Sequence, residues 1–278
     1  MNNPIGIMQG RLSAPRGGRL QSFPAETWRE EFARARDCGL DGIEWIFEEP
    51  WRENPLAEAQ GIARMRELVE DTGTRILCAC ADYFMEHPLV RVSGPALAER
   101  VDMLRFVIGQ CALAGIPILD IPCVDASAIQ DEAEAEQVSR VVSEVADLAQ
   151  RTGIVLGLET NLAPRAFASL LQRIDHPVVG ATYDIGNSAS LGYDPREEIE
   201  AIGRRVVNVH VKDRVRDGGT VALGEGNADL PATFGGLRDR GYAGPFILQV
   251  ARVGEEMSHA RHNAAFVRSL LSAERVGA

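Results

Sequence analysis

Four polar side chains stand near the ends of four successive apolar runs in the second half of the chain. They are Glu159 in Ile154–Thr160, Asp184 in Val178–Asp184, His210 in Val206–Lys212 and Gln249 in Pro245–Ala251. Side chains alternate along an extended strand. Val155, Gly157 and Glu159 therefore share one face, as do Gly180, Thr182 and Asp184, then Asn208, His210 and Lys212, then Ile247 and Gln249. If the four runs are neighbouring strands, Glu159, Asp184, His210 and Gln249 aim at one point. Three oxygen donors and one imidazole suit a hard to borderline divalent ion such as Mn²⁺, Mg²⁺, Co²⁺ or Zn²⁺. Taken singly, each has a plainer reading as a satisfied core histidine or a solvated turn residue. A carboxylate inside an apolar run is costly to bury without a partner, and the set on consecutive strands reads as a functional centre. Lys212 lies on the same face as His210. It reads either as an acid or electrophile that stabilises an enediolate oxygen, or as a salt-bridge partner of Asp184 or Glu159.

The elements that would position these groups repeat along the whole chain. Four earlier apolar runs, Pro4–Gln9, Gly42–Phe47, Arg75–Asp82 and Ile116–Cys123, complete a set of eight. All are near-continuously apolar, as parallel strands covered on both faces are. Helical periodicity fills the gaps over Glu26–Cys38, Leu56–Asp71, Ala96–Ala114 and Glu132–Arg151. Shorter helices are expected after Asn161, Asp194, Asp229 and Glu256. Gly39, Gly73, Gly115 and Gly153 each sit where a helix closes before a strand. Eight units of about 35 residues match a single-domain (β/α)₈ TIM barrel over residues 1–278, whose active site lies at the C-terminal ends of the strands. The Gly-rich stretch Asp213–Ala228 reads as a mobile lid, and fraying is expected from about Ala273.

The composition narrows the function classes. Of 278 residues, 29 are Lys or Arg and 40 are Asp or Glu, a formal net charge of −11. That balance disfavours a grip on nucleic acid or on an anionic membrane. The N-terminal residues show no secretory signal, and no apolar run approaches the length of a membrane span. Five scattered cysteines, Cys38, Cys78, Cys80, Cys111 and Cys123, do not make a disulfide framework. Cys78 and Cys80 read as small core residues rather than as a zinc pair. The expected compartment is the cytoplasm.

A set of motifs spread from end to end resembles one family. These are Gly6-Ile7-Met8-Gln9-Gly10-Arg11-Leu12, Gly42-Ile43-Glu44-Trp45-Ile46, Leu156-Gly157-Leu158-Glu159, Tyr183-Asp184-Ile185-Gly186-Asn187, Val209-His210-Val211-Lys212-Asp213 and Leu223-Gly224-Glu225-Gly226. The sequence is similar to the xylose-isomerase-like TIM-barrel superfamily of sugar (phosphate) isomerases and epimerases, which also contains an AP endonuclease branch. The resemblance implies a divalent metal held at positions that correspond to Glu159, Asp184, His210 and Gln249. It implies a metal-stabilised enediolate formed by proton abstraction next to a carbonyl; in this sequence Glu159 reads as the base and Lys212 or a bound water as the returning acid. It also implies a cytoplasmic enzyme of carbohydrate metabolism that forms dimers or tetramers. Asn187 falls where many members carry a substrate-binding histidine.

Gln249 departs from the pattern, because family epimerases carry a second glutamate there that acts as the opposite acid/base group. An amide offers an oxygen to a metal but takes no proton near neutral pH. A keto-sugar dehydratase of the same superfamily and a non-catalytic sugar-binding barrel are therefore carried as alternatives. The endonuclease branch, rich in histidines, does not match a chain with five. Gln9, Glu44, Asn187, Arg165 and Arg252 are the expected substrate-binding residues. Arg165, Arg214, Arg216 and Arg252 lie on or just after strand ends, and a cluster of arginines there would suit a phosphate or carboxylate on the substrate, with solvated loop charge as the plainer reading. Asp82 and Asp120 are secondary candidates.

Overall fold

The computed structural model describes residues 3–272; the fraying expected from Ala273 lies outside the described residues. Eight parallel strands close into a barrel in the order β1-β8-β7-β6-β5-β4-β3-β2. They are β1 (Ile5–Met8), β2 (Gly42–Ile46), β3 (Arg75–Cys80), β4 (Ile118–Cys123), β5 (Val155–Thr160), β6 (Val179–Asp184), β7 (Val206–Val211) and β8 (Phe246–Leu248). Helices return the chain between strands: α1 (Trp28–Asp37), α2 (Ala59–Thr72), α3 (Tyr83–Glu86), α4 (Gly94–Ala114), α5 (Glu132–Thr152), α6 (Pro164–Ile174), α7 (Ile185–Leu191), α8 (Pro195–Ile202), α9 (Leu230–Asp239) and α10 (Glu256–Ser272). The glycines that close α2, α4 and α5 hold φ of 73–75°, a left-handed turn that a side chain would resist.

The apolar core lies between the strands and the helices, where Trp45, Phe32, Phe84 and Phe234 are fully buried. The inside of the barrel is different. Glu44, Asp120, Asn208 and His210 are each wholly inaccessible and Thr182 nearly so. A barrel filled only for stability stacks Val, Ile and Leu there. Two irregularities in register aim this polar set, since a bulge re-directs the side chains that follow it. One leaves Leu77 of β3 unpaired opposite the step from Ile43 to Glu44 of β2, and the other leaves Val207 of β7 unpaired opposite the step from Ala181 to Thr182 of β6. The second brings Thr182 opposite Asn208 and Asp184 opposite His210.

Three segments differ from the sequence reading. The stretch 213–228 is an organised hairpin, with Asp213–Arg214 antiparallel to Thr220–Val221. The buried Asp213 carboxylate accepts from the backbone of Gly224, Gly226 and Ala228 and pins the turn, so the segment is no structureless lid. A short helix follows β6 directly, because Asp184 caps it by accepting from Asn187 N at 2.8 Å. The eighth run pairs only over Phe246–Leu248, leaving Gln249 just past the last ladder residue.

Below the polar layer the barrel narrows onto glycines. A Cβ at Gly180 would sit 2.3 Å from the carbonyl oxygen of Arg205 and 2.5 Å from Val207 Cγ1. Backbone cannot yield cheaply there, so Gly180→Ala is expected to cost about 1–3 kcal/mol, in the range of core overpacking. Calorimetry should show a melting temperature lower by roughly 2–10 °C. An unchanged melt would mean that β6 and β7 do not pack this closely.

Candidate active site

The groups named from the sequence converge at the C-terminal mouth. His210 Nδ1 faces Glu159 Oε2 at 3.7 Å and Asp184 Oδ2 at 3.8 Å. Asp120, Glu159 and His210 also bring ligand-type atoms within 4.8 Å of one another. His210 Nδ1 has no hydrogen-bond partner, nor has Asp120 Oδ1, although both are buried. On the far side of the ring, His210 Nε2 lies 3.0 Å from Glu44 Oε2 and 3.2 Å from Glu44 Oε1. Asn208 Nδ2 donates to the same Glu44 at 3.1 Å. Glu44 therefore holds the Nε2 proton and turns Nδ1 toward Glu159 and Asp184, as the carboxylate behind a metal-ligating histidine does.

Lys212 Nζ bridges Asp184 Oδ2 at 2.7 Å and Gln249 Oε1 at 2.5 Å. Asn187 Nδ2 donates to Glu159 Oε1 at 2.8 Å and leaves the other oxygen toward the imidazole. Above these groups opens a cavity of about 560 Å³, lined by Glu159, Lys212, Gln249 and Asn187 at its floor.

The electrostatics follow from burial. Burial pushes the Glu159 carboxyl well above the usual carboxylate range, against the pull of His210 and Lys212. Burial likewise raises Asp120, to about 7. For Asp184 burial acts the same way, but Lys212 and His210 outweigh it and hold the carboxyl below its usual range. His210 is lowered by burial, yet Glu44 and Asp184 prevail and keep the imidazole well above its ordinary value. Four buried carboxylates thus face one imidazole and one ammonium. A divalent cation answers that excess, and the unpartnered Nδ1 with two carboxylate oxygens beside it supplies the donor set. The residues present fit such an ion at Glu159, Asp184 and His210. The amide oxygen of Gln249 is taken by Lys212.

Other sequence candidates stand elsewhere. Glu44 is neither a solvated loop residue nor a lining of the cavity; it lies in mid-strand beneath His210. Gln9 is also fully buried, with its carbonyl accepting from Ile46 N at 3.0 Å. Arg252 gives its guanidinium to the carbonyls of Leu20, Ser13 and Gly10, so it ties down the first loop. Arg165 is exposed in the first turn of α6, away from the cavity. Asn187 alone of the five expected substrate residues lines the cavity. The five cysteines are free and buried, and burial keeps the Cys78 and Cys80 thiols far from the thiolate a zinc site needs.

The cavity also takes Arg19, Gln21 and Glu48 from loops that no periodicity locates. Glu31 carries a signal that the sequence did offer. It sits at helical spacing from Trp28 and Ala35 on the buried face, where it accepts from Gly10 N and Ser13 Oγ.

The chain thus combines a closed parallel barrel with a buried carboxylate–imidazole cluster at its mouth. The chain belongs to the xylose isomerase-like TIM barrel family, whose model matches residues 32–270. It is 27% identical over 260 residues to the L-ribulose-5-phosphate 3-epimerase UlaE of Shigella flexneri serotype 5b, covering 89% of this chain and 87% of that one. A solved L-ribulose 3-epimerase superposes with a TM-score of 0.79 at 19% identity, over 99% of this chain and all of the other. A xylose isomerase-like TIM barrel protein from Mycobacterium smegmatis, solved in complex with magnesium, gives 0.74 at 20% identity over 98% and 97% of the two chains.

Two outcomes are expected. A ligand that binds only the folded state at 100 times its dissociation constant adds about 2.7 kcal/mol, so saturating Mn²⁺ should raise the melting temperature by roughly 5–10 °C. Glu159 and His210 are both shifted upward, so both hold protons at low pH that a metal must displace. The Mn²⁺ shift measured by thermal melting should therefore be larger at pH 8 than at pH 5.5. A shift larger at the acid end would exclude these ligands. Second, Glu44→Gln replaces the carboxylate behind His210 with a neutral amide, a weaker acceptor. Calorimetric titration should show Mn²⁺ bound about 10–100-fold more weakly, whereas unchanged affinity would leave Glu44 a core residue only.

Proposed function

We propose that this protein is a divalent-metal-dependent isomerase or epimerase of a sugar or sugar phosphate. The observation that carries the reading is the placement of Glu159 and Lys212 at the floor of one cavity, on either side of the Asp184–His210 pair. The ion, held by Glu159, Asp184 and His210, would supply charge stabilisation for oxygens of the substrate next to the reacting carbon.

The chain's own groups do the proton work. Glu159 takes the proton from the carbon beside the carbonyl, leaving an enediolate. Burial shifts its carboxyl upward, the direction that strengthens a general base. Asn187 fixes one carboxylate oxygen, so the base keeps one orientation. Lys212 presents an ammonium to the developing oxyanion and can return a proton from its side. Gln249 orients Lys212 by accepting from Nζ and takes no proton itself.

One observation favours a second reading. The position opposite Glu159 carries the Gln249–Lys212 pair in place of a second carboxylate, so strong base chemistry is confined to one face. A dehydratase needs only that: Glu159 removes the α-proton, and the β-hydroxyl leaves with a proton from Lys212 as water.

Incubation of the Mn²⁺-loaded protein with 2-ketoses in D₂O distinguishes the two by NMR. Isomerisation or epimerisation places deuterium on the carbon next to the carbonyl with the formula otherwise unchanged, and dehydration loses water. Glu159→Gln should lower either rate by about 10²–10⁴-fold, the contribution of a general base. Exchange that survives the substitution would remove Glu159 from the role.

A further inference from the structure

The cavity above the site holds more acid than base, and each of its cations is already engaged. Lys212 is taken by Asp184 and Gln249. Arg214 gives Nε and Nη2 to the carbonyl of Gly218 at 3.0 and 2.7 Å, and Nη1 to Asn187 Oδ1 at 2.8 Å. Arg19 spans both oxygens of Glu48 at 3.3 and 3.4 Å. No further Lys or Arg lines the cavity among the described residues.

The rim carries carboxylates without counter-ions. Asp82 is buried, with Gln21 Nε2 on one oxygen at 2.7 Å and Cys80 Sγ on the other at 3.1 Å, both uncharged donors. Glu86 and Asp125 also line the cavity, are exposed, and form no ion pair among the described residues. Of the arginines that pointed to an anionic substrate, Arg165 lies on the surface of α6 and Arg252 in the first loop, while Arg214 lines the cavity with its guanidinium bound to Gly218 and Asn187.

A phosphate monoester carries nearly two negative charges at neutral pH. In this cavity it would have to strip an arginine of its present partners while facing three carboxylates that form no ion pair among the described residues. Juxtaposed like charge is strongly disfavoured. A neutral sugar meets no such opposition, because its hydroxyls donate to carboxylate oxygens, which are pure acceptors when ionised.

We infer that the site takes an unphosphorylated, uncharged sugar, held by hydroxyl donation to Asp82, Glu86 and Asp125. The inference rests on the isomerase or epimerase reading of this same cavity. It separates the chain from the phosphorylated substrate in the name of its Shigella flexneri relative.

Calorimetric titration of the Mn²⁺-loaded protein with free ketopentoses and ketohexoses, and with their terminal phosphate esters, tests it. At least one free sugar should bind 10-fold or more tightly than its own ester. Raising NaCl from 50 to 500 mM should narrow that gap, since salt screens the repulsion. The double variant Glu86→Gln with Asp125→Asn should narrow it too. An ester that binds more tightly than its free sugar, and loses affinity in salt, overturns the inference, as does a panel in which no free sugar binds. Deuterium exchange on the same panel keeps the two readings apart. Preferred binding of a free sugar without exchange leaves the substrate class standing and removes the isomerase. Exchange on an ester in preference to its free sugar does the reverse.

Discussion

The arrangement depends on one constraint, an excess of negative charge buried at the mouth of a closed barrel. Glu44, Asp120, Glu159 and Asp184 surround a single imidazole, with one ammonium beside them. Charges removed from water must be paired or neutralised. Protons answer part of the excess, which is why the Glu159 and Asp120 carboxyls are shifted upward. The proposed divalent cation at Glu159, Asp184 and His210 would answer it more completely and at higher pH. The remaining features serve that centre. The register shifts between β2 and β3 and between β6 and β7 set which side chains stand opposite one another, Glu44 sets the imidazole proton, and Asn187 steers Glu159.

The chemistry then turns on the pair Lys212–Gln249. An ammonium that bridges a carboxylate and an amide is held in place without being consumed by either. With a glutamate at 249, Lys212 would sit between two carboxylates and act chiefly as their counter-ion. With glutamine, its charge is shared with Asp184 alone and stays available to the cavity. In the proposed reaction the glutamine at 249 and the position of Lys212 are thus one feature, an ammonium in place of a second carboxylate.

Most of the fold was legible because parallel strands covered on both faces must be continuously apolar, and each of the eight runs was. The centre was legible for the related reason that Glu159, Asp184 and His210 interrupt those runs at period-two spacing. Legibility failed where position depends on distant contacts. Glu44 has the same local pattern as a rim residue, and only the barrel's closure shows that β2 faces β7 across the interior, with Glu44 under His210. Arg252 and Arg165 lie near strand ends as anion-binding arginines would. Carbonyls of a loop more than 200 positions away claim the first, and the outward face of a helix turn claims the second. The hairpin at 213–228 is held by the Asp213 carboxylate, which glycine content cannot reveal.

The central claim is that Glu159, Asp184 and His210 hold one divalent ion. A crystal grown with Mn²⁺ and measured at the manganese absorption edge tests it most directly. The account predicts a single anomalous peak at about 2.0–2.4 Å from His210 Nδ1 and from one oxygen each of Glu159 and Asp184. A peak ligated by Asp120 in place of Asp184, or no peak in the barrel mouth at saturating Mn²⁺, would contradict it.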